Sequence, residues 1–544
     1  MPRAPSLLLL LLLLLLLSAL PGARPSCEVG SANECKKAPP APGANLAGEG
    51  YDVVRLKRTG AFAIDMGAWR NADGTCTLCR NALMGGALQR LPRAAVDWRV
   101  RQECRRKLSS AVFESASELA ESSRSVVDSS WSAGLDVNLG PDKGAKVALS
   151  GTKSRLADFA NRHSSSDRYS YASHNFRCKF YQYRVVHRPP LSPQFSLLLR
   201  SLPKRLNEAT SFMYDQFLRT FGTHYIKGVE LGGSFRDVTA MRTCQVASEG
   251  LTVEEVKDCL EVEAEGRVSQ SYEIHAKSKS CKEAQDKFEG KHSFHETYSD
   301  RETEMTGGMA SAGVDLFYSD DSSAFSSWLE SLASQPGVIY HVLEPLHHLV
   351  RRGDPRHANL REAISRYIVR SGQGRNCTGH GCPAGARAGQ RDPCSCSCRE
   401  DSRVDKLCCS KGKGWGKLQV TVKQGRDLWG DYTTATDAYV KVSYGPKLKA
   451  STAVVKNNNN PVWDVTLDLG DLQVEPQLKL TVEAWDRDSG YDDDLLGACE
   501  RTLTSGLHAE ICYFSYGSLT FDISLTCGPY LGGATCHDYV ARPG

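Results

Sequence analysis

The order of apolar and polar positions changes period several times along the chain. Between Met213 and Phe221, apolar residues recur four apart at 213, 217 and 221, with Tyr214 and Leu218 beside them. That stripe predicts a helix. Gly222 stands where the helix should end in a left-handed cap. Val229 and Leu231 then alternate with small or polar residues, which predicts a strand, and Gly232-Gly233 should break or bend it. Residues 105 to 132 are rich in Ser, Glu and Ala, with Leu108, Val112, Leu119 and Val126-Val127 among them, and read as a solvated helix. Leu135, Val137 and Leu139 alternate with Asp136 and Asn138. Gly140-Pro141-Asp142-Lys143-Gly144 is turn chemistry, and Val147 and Leu149 resume the alternation. Ser154 to Arg162 reads as a polar helix, followed by alternating Tyr169 and Tyr171. Later, Val262 to Ile274 carries Val268, Tyr272 and Ile274 at even spacing. Lys277 to Lys291 is charged and helix-prone, and Phe294 and Tyr298 lead to Gly307-Gly308.

Short strands are expected at Val53-Val54 and Ala61 to Ile64. Ser326 to Leu332 and Ile339 to Leu349 read as buried elements closing this region, and Leu360 to Val369 as an amphipathic helix. From Leu418 the pattern is all-β: Leu418, Val420 and Val422; Val440 and Val442; Val465, Leu467 and Leu469; Leu478, Leu480, Val482 and Ala484. A sandwich of about eight strands follows.

Tyr214, six further residues, and then Phe221-Gly222-Thr223-His224-Tyr225, with Gly232-Gly233 downstream, resemble the signature of the membrane-attack-complex/perforin family. The resemblance implies a bent, twisted antiparallel sheet carrying two helical clusters. In that family the clusters unfurl into membrane-spanning hairpins. Here they fall at about residues 130–175 and 260–305, whose alternation approaches the ~9–11 residues that a spanning strand needs. Thr223 and His224 are read as structural, not catalytic.

Length and composition narrow the class. The 544 residues suffice for three or four domains. A net charge of +4 without a basic block argues against nucleic-acid binding. Arg3, the leucine run Leu7 to Leu17 and the small residues Ala19 to Ala23 read as a secretory signal peptide over 1–23. No later stretch reaches the length of a spanning helix, so any crossing must use strands in a closed barrel. Twenty cysteines, an even number, fit an oxidising compartment and a disulfide framework.

Cys27–Cys79 and Cys35–Cys76 are the expected bridges at the start, with a zinc site as the alternative. Cys104–Cys178 should tether the ends of the first alternating segment, and Cys259–Cys281 should lie within the second. The Gly/Pro/Arg-rich stretch around Cys377 to Cys409 has no apolar core and resembles a small EGF-like module held by disulfides. Its expected pairs are Cys377–Cys394, Cys382–Cys396 and Cys398–Cys408, with Cys244–Cys409 clamping it to the large domain. Cys499–Cys512 and Cys527–Cys536 are expected near the C-terminus. Asn376-Cys377-Thr378 is a glycosylation sequon.

The last domain carries the clearest chemistry. Asp431 and Asp437 lie in one turn region, and Asp486, Asp488, Asp492, Asp493 and Asp494 in another. Such carboxylates repel unless a cation neutralises them, and Ca2+ takes six to eight oxygens from flexible loops. The spacing before Ala438-Tyr439-Val440 and before Leu495-Leu496-Gly497 resembles the calcium loops of a C2 domain. Asn457 to Asn460 with Pro461-Val462-Trp463 matches that family's middle region. The resemblance carries Asp431, Asp437, Asp486, Asp488 and Asp494 as ligands, with Asp493 as a sixth, and sets Trp429, Tyr432 and Tyr491 to contact lipid.

The fold class expected is therefore multidomain α+β: signal peptide 1–23, membrane-attack-complex/perforin domain 24–374, EGF-like module 375–412 and C2 domain with tail 413–544. The function this implies is a secreted, pore-forming cytolytic effector. It would be stored in cytotoxic, lysosome-like granules, bind phospholipid of a target cell through calcium, and assemble with itself into a large ring or arc. No Gly-x-Ser-x-Gly, His-Glu-x-x-His or phosphate-loop motif marks an enzyme. A non-lytic, calcium-dependent membrane adaptor is the alternative.

Overall fold

The computed structural model describes residues 27–104, 107–137, 150–164, 167–268, 272–287, 294–309, 322–372, 386–388, 396–430, 434–446, 448–488 and 493–541. The large domain is organised on two long antiparallel strands, β5 (Tyr169–Val185) and β6 (His224–Arg242), paired along nearly their whole length. Each is flanked by two short strands laid end to end. On one side β3 (Ala95–Cys104) covers the second half of β5 and β4 (Ser109–Phe113) the first half. On the other, β8 (Gly337–Pro345) covers the first half of β6 and β7 (Arg301–Thr306) the second. The edge hairpin is β1 (Glu49–Asp52) with β2 (Lys57–Phe62).

Two connections leave the same end of this sheet. The first, between β4 and β5, holds helices α1 (Ala116–Ser122) and α2 (Arg155–Ser164). The second, between β6 and β7, holds α4 (Val253–Val268) and α5 (Tyr272–Lys287). At the other end α3 (Glu208–Phe221) buries Tyr214, Phe217, Leu218 and Phe221 on the sheet, its first turn capped by Asn207 and Thr210. Helix α6 (Ser322–Ser331) and helix α7 (Pro355–Ser371) close the domain, the latter started by Asp354 and Pro355 and burying Leu360, Ile364 and Ile368.

Several expectations change. Residues 109–113 are strand, not helix, because β5 offers them an open edge. Val53 and Val54 lie in the turn between β1 and β2. Leu135 and Val137 form no strand; they run in irregular chain and bury into the main core, with the Asp136 amide donating to Ser365 Oγ at 3.0 Å. Leu139, Val147, Leu149 and the turn sequence between them lie outside the described residues. Helix α2, read as polar, buries one face: Leu156, Phe159 and Ala160 pack on Tyr171 and Val238. Val262 to Val268 is helix rather than strand, because Val256, Leu260 and Ala264 also fall four apart and are all buried. Gly232-Gly233 does not interrupt β6, which runs through both residues.

Disulfides join Cys27 to Cys79, Cys35 to Cys76, Cys104 to Cys178, Cys259 to Cys281, Cys398 to Cys408, Cys499 to Cys512 and Cys527 to Cys536. Cys244 is joined to Cys409, and around this bridge Leu407 and Tyr530 bury with Ala247 and Tyr539. Arg168 donates to the carbonyls of Leu407 and Cys396 at 2.5 and 2.7 Å, and Lys413 pairs with Glu249 at 2.9 Å. The expected Cys377–Cys394 and Cys382–Cys396 pairs, and Asn376, involve residues outside those described.

The C-terminal sandwich has eight strands in two four-stranded sheets. One sheet orders β12 (Val462–Gln473), β9 (Trp415–Arg426), β16 (Ser518–Cys527) and β15 (Gly506–Tyr513). The other orders β11 (Leu448–Ser451), β10 (Ala438–Tyr444), β13 (Leu480–Asp486) and β14 (Asp494–Arg501). Alternate residues of both, including Leu418, Val420, Val440, Val442, Val482 and Phe521, fill one core.

Candidate functional site

The pairing of the sheet changes along one line. Gly232 and Gly233 of β6 face Lys179 and Cys178 of β5, and the ladder slips by one residue just beyond, between Lys179 and Tyr181. On both outer sides the flanking strands change over at this level: Gly337 pairs with Gly232 and Thr306 with Ser234, while Cys104 pairs with Cys178 and Ser109 with Asn175. A Cβ on Gly232 would stand 1.9 Å from the Cys178 carbonyl oxygen, and one on Gly233 would meet Leu332 at 2.5 Å and Trp328 at 2.8 Å. The two glycines therefore let backbone and a tryptophan approach where any side chain would push the layers apart.

The signature histidine lies eight residues before this line, at the start of β6. His224 is fully buried, with Nδ1 against Thr223 Oγ1 at 2.7 Å and Nε2 against the Trp131 carbonyl at 2.8 Å. Burial pushes its pKa down to about 4, so the ring is neutral at ordinary pH. Thr223 Oγ1 also faces the Tyr51 carbonyl and the Val53 amide. Gly222 has φ +74° with an extended ψ and passes so close to Tyr51 that a Cβ would meet its carbonyl at 2.4 Å. Tyr214 donates to the Pro203 carbonyl, and Tyr225 to Glu344 at 2.5 Å. These residues join α3, β1 and the chain entering the first cluster.

In the sandwich, register gathers the second set of residues. Ala438 pairs with Asp486, and Asp486 with Asp494, so the start of β10, the end of β13 and the start of β14 lie side by side. Asp486 is buried and accepts the Asp437 amide at 2.7 Å; a Cβ on Gly430 would stand 2.1 Å from its other oxygen. Asp437 Oδ1 accepts the Asn457 amide at 2.7 Å. Asp493 accepts the Tyr439 hydroxyl at 2.5 Å, which holds its carboxyl below the usual carboxylate range, and also the Asp488 amide at 3.4 Å. Asp431, Tyr432 and Tyr491 lie outside the described residues. Among the described residues no three His, Cys, Asp or Glu side chains form a group able to hold a metal ion. The donors are nonetheless all carboxylate oxygens on adjoining strand ends, and the chain at Gly430 closes over one of them. That donor set fits a hard divalent cation.

Sequence reasoning missed what holds these loops. Thr436 Oγ1 donates to the Leu428 carbonyl at 2.9 Å and accepts the Gly430 amide. Asn457, Asn459 and Asn460 side chains accept the amides of Ala435, Thr436 and Asp427. The asparagine tract thus builds the first loop, and its density of short amides was the available signal. Trp429 is 38% exposed and meets Tyr516 edge-on at 5.3 Å. Tyr516, 59% exposed, stands in the turn after β15, and Tyr513, 79% exposed, ends that strand; sequence reasoning passed over both.

A bent sheet with paired helical clusters, joined to a sandwich of C2 type, defines the class, and the comparisons agree. Residues 40–376 match the MAC/Perforin domain family and residues 416–513 the C2 domain family. The chain belongs to the MAC/Perforin family. It is 42% identical over 520 residues to Perforin-1 of Homo sapiens, covering 95% of this chain and 93% of that protein. To Perforin-1 of Rattus norvegicus it is 38% identical, covering 95% and 94%. A Calcium-dependent lipid-binding protein of Arabidopsis thaliana is 39% identical over 84 residues, 15% of this chain and 16% of that protein.

Proposed function

We propose that this chain is a secreted cytolytic effector. It binds the phospholipid surface of a target cell through calcium at the C2 loops, assembles with copies of itself into a ring or arc, and opens a β-barrel pore. The observation that carries this reading is the pair of helical clusters hung from the same end of two long, already paired strands. Unwinding either cluster extends strands that exist, so no new sheet has to be nucleated. Asp437, Asp486, Asp488, Asp493 and Asp494, with Asp431, hold the calcium. Bound there, the ion neutralises the carboxylates and leaves room for lipid phosphate oxygens. Trp429, Tyr432 and Tyr491 enter the headgroup layer beside it.

Domain limits at 24–374, 375–412 and 413–544, glycosylation at Asn376 and storage in acidic granules belong to the same proposal. The test is release of trapped dyes of graded size from phosphatidylcholine vesicles, with calcium and with a chelator, while lipid hydrolysis is monitored. Calcium-dependent release of large dyes without hydrolysis is expected. Binding without release would leave a membrane adaptor, and release with hydrolysis would make the protein a lipase.

A further inference from the structure

The second cluster carries a disulfide whose position is set by the sheet below it. In the β6–β7 ladder each residue forward on β6 pairs with one residue back on β7, from Ser234 with Thr306 to Thr239 with Arg301, without slip. Twenty further steps along both chains lead from Thr239 to Cys259 and from Arg301 to Cys281. These two cysteines are already bonded, joining α4 to α5 with Cα atoms 4.9 Å apart. Directly opposed residues of an antiparallel ladder lie ~4.5–5.5 Å apart. We infer that the inserted hairpin keeps the native β6–β7 register, that Cys259–Cys281 survives insertion as a cross-strand staple, and that this register divides the hairpin into a lipid face and a pore face.

The side chains sort accordingly. In that register Lys257 stands opposite Glu283, and Glu261 opposite Lys279, on the same face as the disulfide. Val256 stands opposite Ala284, Leu260 opposite Ser280 and Val262 opposite Ser278 on the other. One face is a ladder of opposite charges, stabilising when paired across strands, and suits water. The other is apolar or small and suits acyl chains. Asp258 and Lys282 share the apolar face, but as a pair of opposite charge a dozen residues from the reversal. With ~3.4 Å per residue and ~40° tilt, that is the edge of the ~30 Å hydrocarbon layer. In the folded protein Val256, Leu260 and Ala264 serve equally as a buried helical stripe, so one sequence satisfies both forms.

A second ladder agrees. From Ser109 with Asn175 to Phe113 with Tyr171 it also runs without slip. Extended, it reverses at Asp142, within the sequence read above as a turn. The central β5–β6 ladder then sets that reversal within a residue of the level at which the second hairpin turns back, between Val268 and Tyr272. A slip of one residue would exchange the two faces of a strand, so the staple acts on register.

This inference rests on the pore reading and is tested with the full-length chain on phosphatidylcholine vesicles in calcium. Wild-type leakage is measured first; its absence would sink the pore reading and this one with it. Given leakage, two variants that bind vesicles as wild type does are compared after mild oxidation. E261C/K279C should cross-link in the inserted state at least about tenfold more than E261C/S278C, whose positions point to opposite faces. Non-reducing peptide maps of wild-type pores should show Cys259 still joined to Cys281. An environment-sensitive dye on single added cysteines should report lipid at 260 and 262 and water at 261. Equal cross-linking of the two variants, an opened Cys259–Cys281 bond in leaking pores, or dye signals without alternation would each overturn the register.

Discussion

The second cluster and the C-terminal sandwich share a sequence period but not a conformation. Val440, Val442 and Tyr444 alternate with polar residues and lie in β10; Leu260, Val262 and Ala264 alternate as regularly and lie in α4. Both edges of β10 are occupied, by β11 and β13. Beyond Arg242 the chain leaves β6 and takes up helix, where Val256, Leu260 and Ala264 are buried. The contrast teaches that alternation specifies a strand only where a neighbouring strand completes it. Where apolar positions also fall four apart, packing decides.

The comparison breaks most sharply if the cluster is prevented from converting. His174 of β5 meets the Lys257 carbonyl of α4 at 3.2 Å. A disulfide between cysteines at these positions should reduce leakage by more than about a hundredfold and leave calcium-dependent vesicle binding unchanged. Leakage persisting in the oxidised protein would show that α4 does not need to move.

The sandwich, in turn, should act only through its loops. Asp486→Ala removes the buried acceptor of the Asp437 amide and, on the proposed reading, one calcium oxygen. The calcium concentration for half-maximal vesicle binding should rise at least about tenfold, with the far-UV spectrum unchanged. An unaltered calcium titration would remove Asp486 from the ligand set.

A third experiment asks whether the bend is strained by design. Gly232→Ala places a methyl group on the Cys178 carbonyl and should cost about 2–4 kcal/mol in denaturant unfolding of the large domain. The same change at Gly60, which has open space around it but φ +83°, should cost only about 1 kcal/mol. Similar costs at both sites would argue that the layers at the bend are loose.

Acid separates the regions more gently. His224, with its pKa lowered from 6.5 to about 4, is neutral in the folded large domain, whereas the unfolded chain takes up a proton near 6.5. Its contribution is fully present above pH 6.5 and is lost as pH falls towards 4, up to about 3 kcal/mol. His341, also lowered to about 4 by burial, acts in the same direction. Unfolding curves between pH 7.5 and 4.5 should show this slope for wild type and a shallower one for His224→Gln. In the sandwich the smallest effect is expected. Protons compete with calcium for the carboxylates, but the Tyr439 hydroxyl keeps Asp493 ionised to lower pH. The calcium midpoint for vesicle binding should therefore rise only about two- to fivefold on going one to two pH units below neutrality. No rise at all would mean that acid does not weaken calcium binding at these loops.

Much of this was readable from spacing. The 213/217/221 stripe gave α3, and the even spacing from Leu418 onward gave the strands of the sandwich, because each stripe has a single way to be buried. The aspartates were legible as two loops since their repulsion demands an explanation. What could not be read was the state of the clusters. Leu135 and Val137 satisfy a buried irregular chain as readily as a strand, and Val262 to Val268 satisfies a helix. Only the neighbours present in the folded protein choose between them. The asparagine tract was only half legible: the density of short amides marked Asn457–Asn460, but its partners, the amides of Asp427, Ala435 and Thr436, lie 22 to 33 residues earlier in the chain, and no local pattern names them.

The bridge from Cys244 to Cys409 has a consequence for survival among proteases. It closes a covalent ring of sequence separation 165 that contains α4, α5, β7, β8 and the closing helices. A single cut anywhere within that ring leaves the two fragments of the chain attached. A nicked molecule would run as one band until a reductant is added, and would reach its target with every strand still in hand.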